Sequence, residues 1–358
     1  MQRWRVLIAL TVVALVIGTA CAQETSEDSD RLKQFFERFP QADADRDGVL
    51  TLEEAQAFNQ KRKERQQERE QYEGGRPAPD FADLAYGPFE RNLVDLWLAP
   101  GEGPRPLAAY IHGGGWVGGD KSSIRRDDLE ALLEAGISVA AINYRYSTQA
   151  PFPAPITDAG RAIQFLRLHA DEYNLDPTRV ATWGGSAGAA TSTWLAFHDD
   201  LADPDAEDPV LRESTRLTCI SPNACPTVFE PEESEEVLGA PITIHPAFLP
   251  FFGVESLEEL DTPEIQAMMA EASPINHLTA DDPPVRLYYS LPAERLGADA
   301  TPGQVAHHPL HGVYLKEKMD ELGIECVLIY PGHTEDPYDG MIGFFKAKLL
   351  GETAADEG

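Results

Sequence analysis

Basic side chains are scarce in this 358-residue chain: 29 lysines and arginines stand against 60 aspartates and glutamates, a formal charge of −31. A nucleic-acid binder needs a basic footprint that releases phosphate counterions, and an anionic membrane surface draws in lysine and arginine. Neither partner suits this balance, which describes a heavily solvated surface fit for a salty or extracellular setting. Cysteine is also sparse. There are four, and none has the C-x-x-C spacing of a zinc or redox site. Cys219 and Cys225 flank Pro222 and Asn223, a spacing that predicts a local disulfide in an oxidising compartment, whereas Cys326 in an apolar strand predicts a buried free thiol.

The one conspicuous apolar run, Val6 to Ile17, is too short to prefer a permanent span. Arg3 and Arg5 precede it and Ala20-Cys21-Ala22 follows, so residues 1–22 read as a signal peptide cleaved on export. Cys21 also offers a lipoprotein junction, although Gly18 stands where that motif carries leucine. The expected location is periplasmic or extracellular, with a lipid anchor at Cys21 as the alternative and no transmembrane span in the mature chain.

Next in the chain is a calcium loop. Asp43-Ala-Asp45-Arg-Asp47-Gly48-Val49-Leu50-Thr51-Leu-Glu-Glu54 fits the EF-hand pattern D-x-[DN]-x-[DN]-G-x₅-E without a mismatch. Calcium needs several hard oxygens in one small volume. Asp43, Asp45 and Asp47 supply carboxylates, Val49 a main-chain carbonyl and Glu54 a bidentate pair, while Gly48 permits the sharp turn. Leu32, Phe35, Phe36 and Phe39 recur at helical spacing before the loop, and Leu52 to Phe58 continue after it. A single loop of a type that generally pairs predicts a structural or accessory Ca2+ module over residues 30–59. Residues 60–79 follow as a charged helix and linker, ended by Gly74-Gly75, Pro77 and Pro79.

From residue 80 to 352 the pattern changes to alternating strands and helices. Val180-Ala-Thr-Trp-Gly-Gly-Ser-Ala-Gly-Ala189 reads as a buried strand passing through Gly184, Ser186 and Gly188 into a helix. That is the G-x-S-x-G turn, in which a strained backbone presents a serine and small neighbours tolerate the close approach. Upstream, the strand Leu107 to Ile111 leads into His112-Gly113-Gly114-Gly115-Trp116, a loop that exposes backbone N–H groups of the kind that stabilise an oxyanion. Asn92 to Leu98 alternates like an early antiparallel strand. Trp116 is read either as lining an acyl pocket or as packed core, and Asp158 as supporting the site from outside it.

The run Tyr144-Arg-Tyr-Ser, Pro151-Phe-Pro-Ala-Pro155, Asp158, Phe165-Leu166, Asp176-Pro177, Arg179 and Gly184-Gly-Ser-Ala-Gly188 resembles the hormone-sensitive-lipase-like and acetylesterase-like branch of the α/β-hydrolases over roughly residues 80–350. The resemblance implies an α/β fold with a mostly parallel central sheet and helices on both faces. It further implies Ser186 as nucleophile, the N–H groups of Gly113, Gly114 and Ala187 as oxyanion hole, and residues 199–280 as a cap insertion. The triad then comes in the order serine, acid, histidine. Members of that branch carry G-x-x-D after the strand Val285 to Ser290, but this chain reads Ser290-Leu-Pro-Ala-Glu294 and Leu296-Gly-Ala-Asp299. The acid is therefore Glu294 or Asp299. His333, beyond the last strand, matches the base by location, with His307 and His308 as competing candidates; His245 and His277 are read as ordinary packed residues.

The expected function is a secreted serine carboxylesterase acting on short acyl esters, including acetyl groups on carbohydrate, with no organic cofactor. A serine peptidase or lipase of the same fold is the alternative within enzymes. A calcium-dependent binding protein with a degenerate hydrolase fold is the alternative outside them.

Overall fold

The computed structural model describes residues 25, 26, 29–38, 42, 43, 48–58, 60 and 75–352, save 102, 241, 242 and 298. The signal segment 1–22, Asp45, Asp47, Phe39 and most of the charged linker lie outside the described residues. Two compact units emerge, Met1–Gln71 and Tyr72–Gly358.

The first unit holds helix α1, Asp30–Arg38, and helix α2 over 52–58, on either side of the acidic loop. Apolar spacing explains both. Leu32 and Ala55 are buried together with Ala42 and Leu50, and Phe35, Phe36 and Phe58 pack around them. Thr51 and Glu54 start α2 by reciprocal capping: Glu54 N–H donates to Thr51 Oγ1 at 3.2 Å and Thr51 N–H to Glu54 Oε2 at 3.0 Å. Thr25 forms an antiparallel bridge with Thr51, which ties an N-terminal segment to the end of the acidic loop.

The second unit is built on strands β1 (Phe81–Ala85), β2 (Leu93–Trp97), β3 (Arg105–Ile111), β4 (Ser138–Ile142), β5 (Leu175–Gly185), β6 (Cys219–Asn223), β7 (Val285–Tyr288) and β8 (Cys326–Ile329). They form one sheet in the order β1-β2-β4-β3-β5-β6-β7-β8. β1 pairs antiparallel with β2, and β2 with β4; every other pairing is parallel. The strand Ser138-Val-Ala-Ala-Ile142 is buried along its whole length and is mostly apolar, because parallel strands are covered on both faces. The crossovers include α3 (Arg126–Glu134), α4 (Ala154–Leu168), α5 (Ala187–Phe197) and α10 (Leu310–Leu322), and α11 (Met341–Phe345) follows the last strand. Each parallel strand thus delivers its C-terminal end to the same edge, where such sheets hold their ligands.

Two expectations need correction. The stretch 199–280 is not one insertion, because β6 lies within it and pairs with β5 and β7 in the middle of the sheet. Only the part beyond β6, with α6 (Pro231–Leu238), α7 (Phe248–Phe252) and α8 (Pro263–Ala272), lies outside the sheet in the manner of a cap. Cys219 and Cys225 are free thiols. The extended strand between them, rising about 3.3 Å per residue, carries them beyond the roughly 7 Å that a disulfide spans. They pack in different clusters, Cys219 with Trp183 and Phe345, and Cys225 with Ile220 and Leu287. Burial pushes the Cys225 and Cys326 thiols up to about 12, which keeps both protonated.

Candidate active site

Close backbone approach explains the glycines of the serine turn. A Cβ on Gly184 would lie 2.1 Å from the Ile111 carbonyl oxygen, and one on Gly188 only 2.0 Å from it. The end of β3 therefore presses against the turn from β5 into α5. Ser186 sits between them at φ 55°, ψ −119°, a left-handed conformation unusual for a residue with a side chain. It forms the N-cap of α5, and its N–H donates to the Asn223 carbonyl at 3.0 Å.

The glycine loop lies alongside. A Cβ on Gly113 would stand 3.6 Å from Ser186 Cβ and 2.6 Å from the Gly185 carbonyl oxygen, so glycine is required there. Among the described residues no backbone hydrogen bond uses the N–H of Gly113 or Gly114. Ala187, first residue of α5, likewise belongs to the helix turn whose N–H groups have no intrahelical partner. Gly113 and Ala187 thus flank the serine, at a helix end that favours negative charge, and Gly114 follows in the same loop.

The loop is held from beneath. His112 is fully buried, stacks on Tyr144 at 4.2 Å, and its carbonyl accepts the Tyr144 hydroxyl at 2.8 Å. Burial lowers the His112 pKa to about 4, so the ring is a neutral packing element. Asp158 accepts two bonds from the Arg145 guanidinium, at 2.8 and 2.7 Å, and one from Asn92 at 3.0 Å. This fixes the segment carrying Tyr144. Trp116 is core: it is buried, stacks on Phe251 at 3.9 Å and donates its indole N–H to Thr191.

The partner of the serine is His307. Its Nε2 lies 2.8 Å from Ser186 Oγ, and among the described residues no other side chain hydrogen-bonds that hydroxyl. His307 ends helix α9, Pro302–Ala306, which a Thr301–Gln304 capping box starts. His333, the location-based choice, lies elsewhere: it is exposed in the turn after β8, stacked on Tyr330 at 5.3 Å. The Tyr330–His333 backbone bridge folds that turn back on itself, so it does not bring His333 to the serine. His308 is excluded by its own bonds. Its Nε2 donates to the Glu294 carbonyl at 2.8 Å and its Nδ1 accepts the Leu310 N–H, which leaves no nitrogen for proton transfer.

Neither expected acid reaches the imidazole. Glu294 and Asp299 are both exposed, and no hydrogen bond joins either carboxylate to His307. Burial lowers the His307 pKa, and the nearby His245 ring lowers it further. A carboxylate beside the ring would raise it. The Ser186–His307 pair therefore stands without a carboxylate partner, its imidazole biased toward the neutral form by its surroundings. His245, read from the sequence as an ordinary packed residue, lies close enough to act on the His307 ring. Its Cε1 would lie 3.8 Å from a Cβ on Gly115, and its Nδ1 accepts the Ala247 N–H at 3.2 Å, which directs the other nitrogen to carry the proton. Three histidines within five residues, His307, His308 and His311, were the only linear signal for this side of the site.

With this geometry in hand, comparison with known proteins is informative. The BD-FAE family model matches residues 94–290, more than half of the chain. The chain belongs to the BD-FAE family. This is a family of α/β-hydrolase esterases, and the sheet order and elbow described above agree with it. Among curated proteins, the chain is 31% identical over 206 residues to the probable carboxylic ester hydrolase LipM of Mycobacterium tuberculosis, covering 56% of this chain and 45% of that one. It is 29% identical over 218 residues to esterase LipQ of the same organism, covering 58% and 48%. The BD-FAE chain thus spans about half the length of the curated relatives it matches. A truncated carbohydrate esterase from gut microbiota superimposes with a TM-score of 0.60 at 20% identity, covering 76% of this chain and 100% of that one, a likeness of fold.

Proposed function

We propose that this protein is an exported serine carboxylesterase that hydrolyses short acyl esters, acetyl groups on carbohydrate among them. The observation that carries the reading is the 2.8 Å contact of Ser186 Oγ with His307 Nε2 at a strained strand-to-helix turn. The names of the ester-hydrolase relatives and of the carbohydrate-esterase neighbour support it. His307 takes the Ser186 proton as Oγ attacks the ester carbonyl, and the Gly113, Gly114 and Ala187 N–H groups hold the oxyanion. His307 then returns the proton to the leaving alcohol, and water resolves the acyl-enzyme by the same steps in reverse.

Hydrolysis of p-nitrophenyl acetate and of acetylated xylan by the mature protein and by Ser186→Ala tests this reading. Turnover lost in the variant is the expected result. Equal background rates in both would instead favour a binding protein on a hydrolase fold, the reading that a base without a carboxylate partner motivates. A panel of peptide and long-chain ester substrates separates the peptidase and lipase alternatives.

We also propose that Asp43, Asp45, Asp47, Val49 and Glu54 hold a structural Ca2+. Among the described residues the loop fits: Gly48 takes φ +85° and donates its N–H to Asp43 Oδ2 at 2.9 Å, and Leu50 is fully buried behind it. Calorimetric Ca2+ binding that disappears in Glu54→Gln is expected, with esterase turnover surviving chelation. Binding unchanged by Glu54→Gln would refute the assignment.

A further inference from the structure

At the far end of α5 from the serine, two histidines and a glutamate converge. His198 follows the last residue of α5, and Glu271 lies in the last turn of α8. His277 closes the short turn Pro274–His277. One ligand atom from each, an imidazole nitrogen or a carboxylate oxygen, lies within 4.8 Å of the other two. Trp194 stacks on His198 at 4.0 Å and meets His277 edge-on at 5.7 Å.

The hydrogen bonds decide what the cluster is ready to hold. His198 Nδ1 lies 2.9 Å from the Asp199 carbonyl oxygen, an acceptor only, so that nitrogen carries a proton. In the neutral ring Nε2 then has a lone pair, and it faces a Glu271 carboxylate oxygen at 3.2 Å. Two electron pairs at that distance repel unless a proton or a metal cation lies between them. His277 is set up in the same way, its Nε2 donating to the Glu271 carbonyl at 2.7 Å and leaving Nδ1 as the ring's lone-pair nitrogen. An imidazole fixed by an N–H bond to a main-chain carbonyl is the usual outer support of a metal-binding histidine. The Trp194 indole N–H donates to the same Glu271 carbonyl at 2.8 Å, which fixes the backbone of the third ligand.

We propose that His198, Glu271 and His277 form a site for a first-row transition-metal dication, with Zn2+ the ion expected. Two imidazoles and one carboxylate suit Zn2+ and not Ca2+, which takes oxygen ligands. Bonds of roughly 2.0–2.2 Å place tetrahedral ligands about 3.4 Å apart, so small side-chain rotations close the set around the ion. The fourth position faces solvent, with Glu271 exposed and both histidines half-buried. Twelve residues separate Ser186 from His198 along α5, about 18 Å at 1.5 Å per residue. The ion therefore takes no part in ester cleavage; it clamps the C-terminal end of α5 to the segment 271–277. This site is independent of the esterase reading.

Calorimetric titration of the untagged, Ca2+-saturated mature protein with ZnCl2 at pH 7.5 tests it. One equivalent of Zn2+ beyond any bound by the variants is expected, with affinity reduced at least tenfold in Glu271→Gln and in His277→Gln. Glu271→Gln keeps the carbonyl that Trp194 and His277 use, so it isolates the carboxylate. Hydrolysis of p-nitrophenyl acetate is expected to be unchanged in both variants. Quenching of Trp194 fluorescence by Ni2+, absent in Glu271→Gln, is a second readout. Zn2+ isotherms identical in the wild type and both folded variants, or no Zn2+ bound by the wild type, would overturn the proposal; the pair is then a histidine–carboxylate hydrogen bond alone.

Discussion

The sharpest test of the site compares His307→Gln with His333→Gln. His307 Nε2 stands 2.8 Å from Ser186 Oγ, within proton-transfer reach, whereas His333 is exposed and stacked on Tyr330. A positioned general base contributes about 10²–10⁴-fold, or roughly 3–5 kcal/mol at 1.36 kcal/mol per decade. His307→Gln should lower kcat/KM for p-nitrophenyl acetate by that factor, and His333→Gln by less than twofold. The pH profile gives an independent reading. Burial and His245 lower the His307 pKa below the ordinary 6.5, and the ring is a base only when neutral. Activity of the wild type should therefore persist below pH 6.5 and fall as pH drops through the lowered value. Replacing His245 by Gln should move that inflection upward. Loss of activity in His333→Gln equal to that in His307→Gln, or near-normal turnover in His307→Gln, would refute the assignment.

The same logic extends to the acids and the scaffold. If the base works as a dyad, Glu294→Gln and Asp299→Asn each keep kcat/KM within about twofold, whereas a hundredfold fall in one of them would identify a third member. Gly188→Ala places a methyl group 2.0 Å from the Ile111 carbonyl oxygen and should cost about 1–3 kcal/mol in urea unfolding together with most of the activity. Gly303→Ala, which meets nothing within 4 Å, should change neither. Asp158→Ala leaves the half-buried Arg145 guanidinium and the buried Asn92 amide without their carboxylate and should destabilise by about 1–3 kcal/mol, read as a shift in the urea midpoint. Burial lowers the His311 pKa to about 4, so the unfolded chain takes up its proton from pH 6.5 downward while the folded chain resists until about 4. The stability this histidine contributes is complete above pH 6.5 and is lost between those values, by about 3 kcal/mol. The decline in urea midpoint from pH 7 to 4.5 should accordingly be shallower in His311→Asn; an equal slope in both proteins would contradict the burial argument.

What was legible in the sequence depended on how far apart the cooperating residues lie. The serine turn is a local object: Gly184 and Gly188 exist because the Ile111 carbonyl comes within about 2 Å of where their side chains would be, and that demand is written within five residues. The proposed calcium loop is equally local, its pattern complete in the twelve residues from Asp43 to Glu54. The mostly parallel sheet followed from alternation of strands and helices, since parallel strands need crossovers, but the order of its strands did not. The histidine was not legible in this way. Chain order pointed to the loop after β8, but α9, short and capped by Thr301 and Gln304, brings a different ring to the serine from the segment after β7. Among His307, His308 and His311, selection rests on which nitrogens the fold consumes, and His308 loses both of its own to Glu294 and Leu310. No spacing rule encodes that. The mistaken disulfide has the opposite cause, since Cys219 and Cys225 are near in sequence and an extended strand holds them apart. His198, Glu271 and His277 show the limit most clearly: separated by 73 and 6 positions, they carry no linear pattern, and only the packing of α5 against the end of α8 turns three unremarkable surface residues into a possible ligand set.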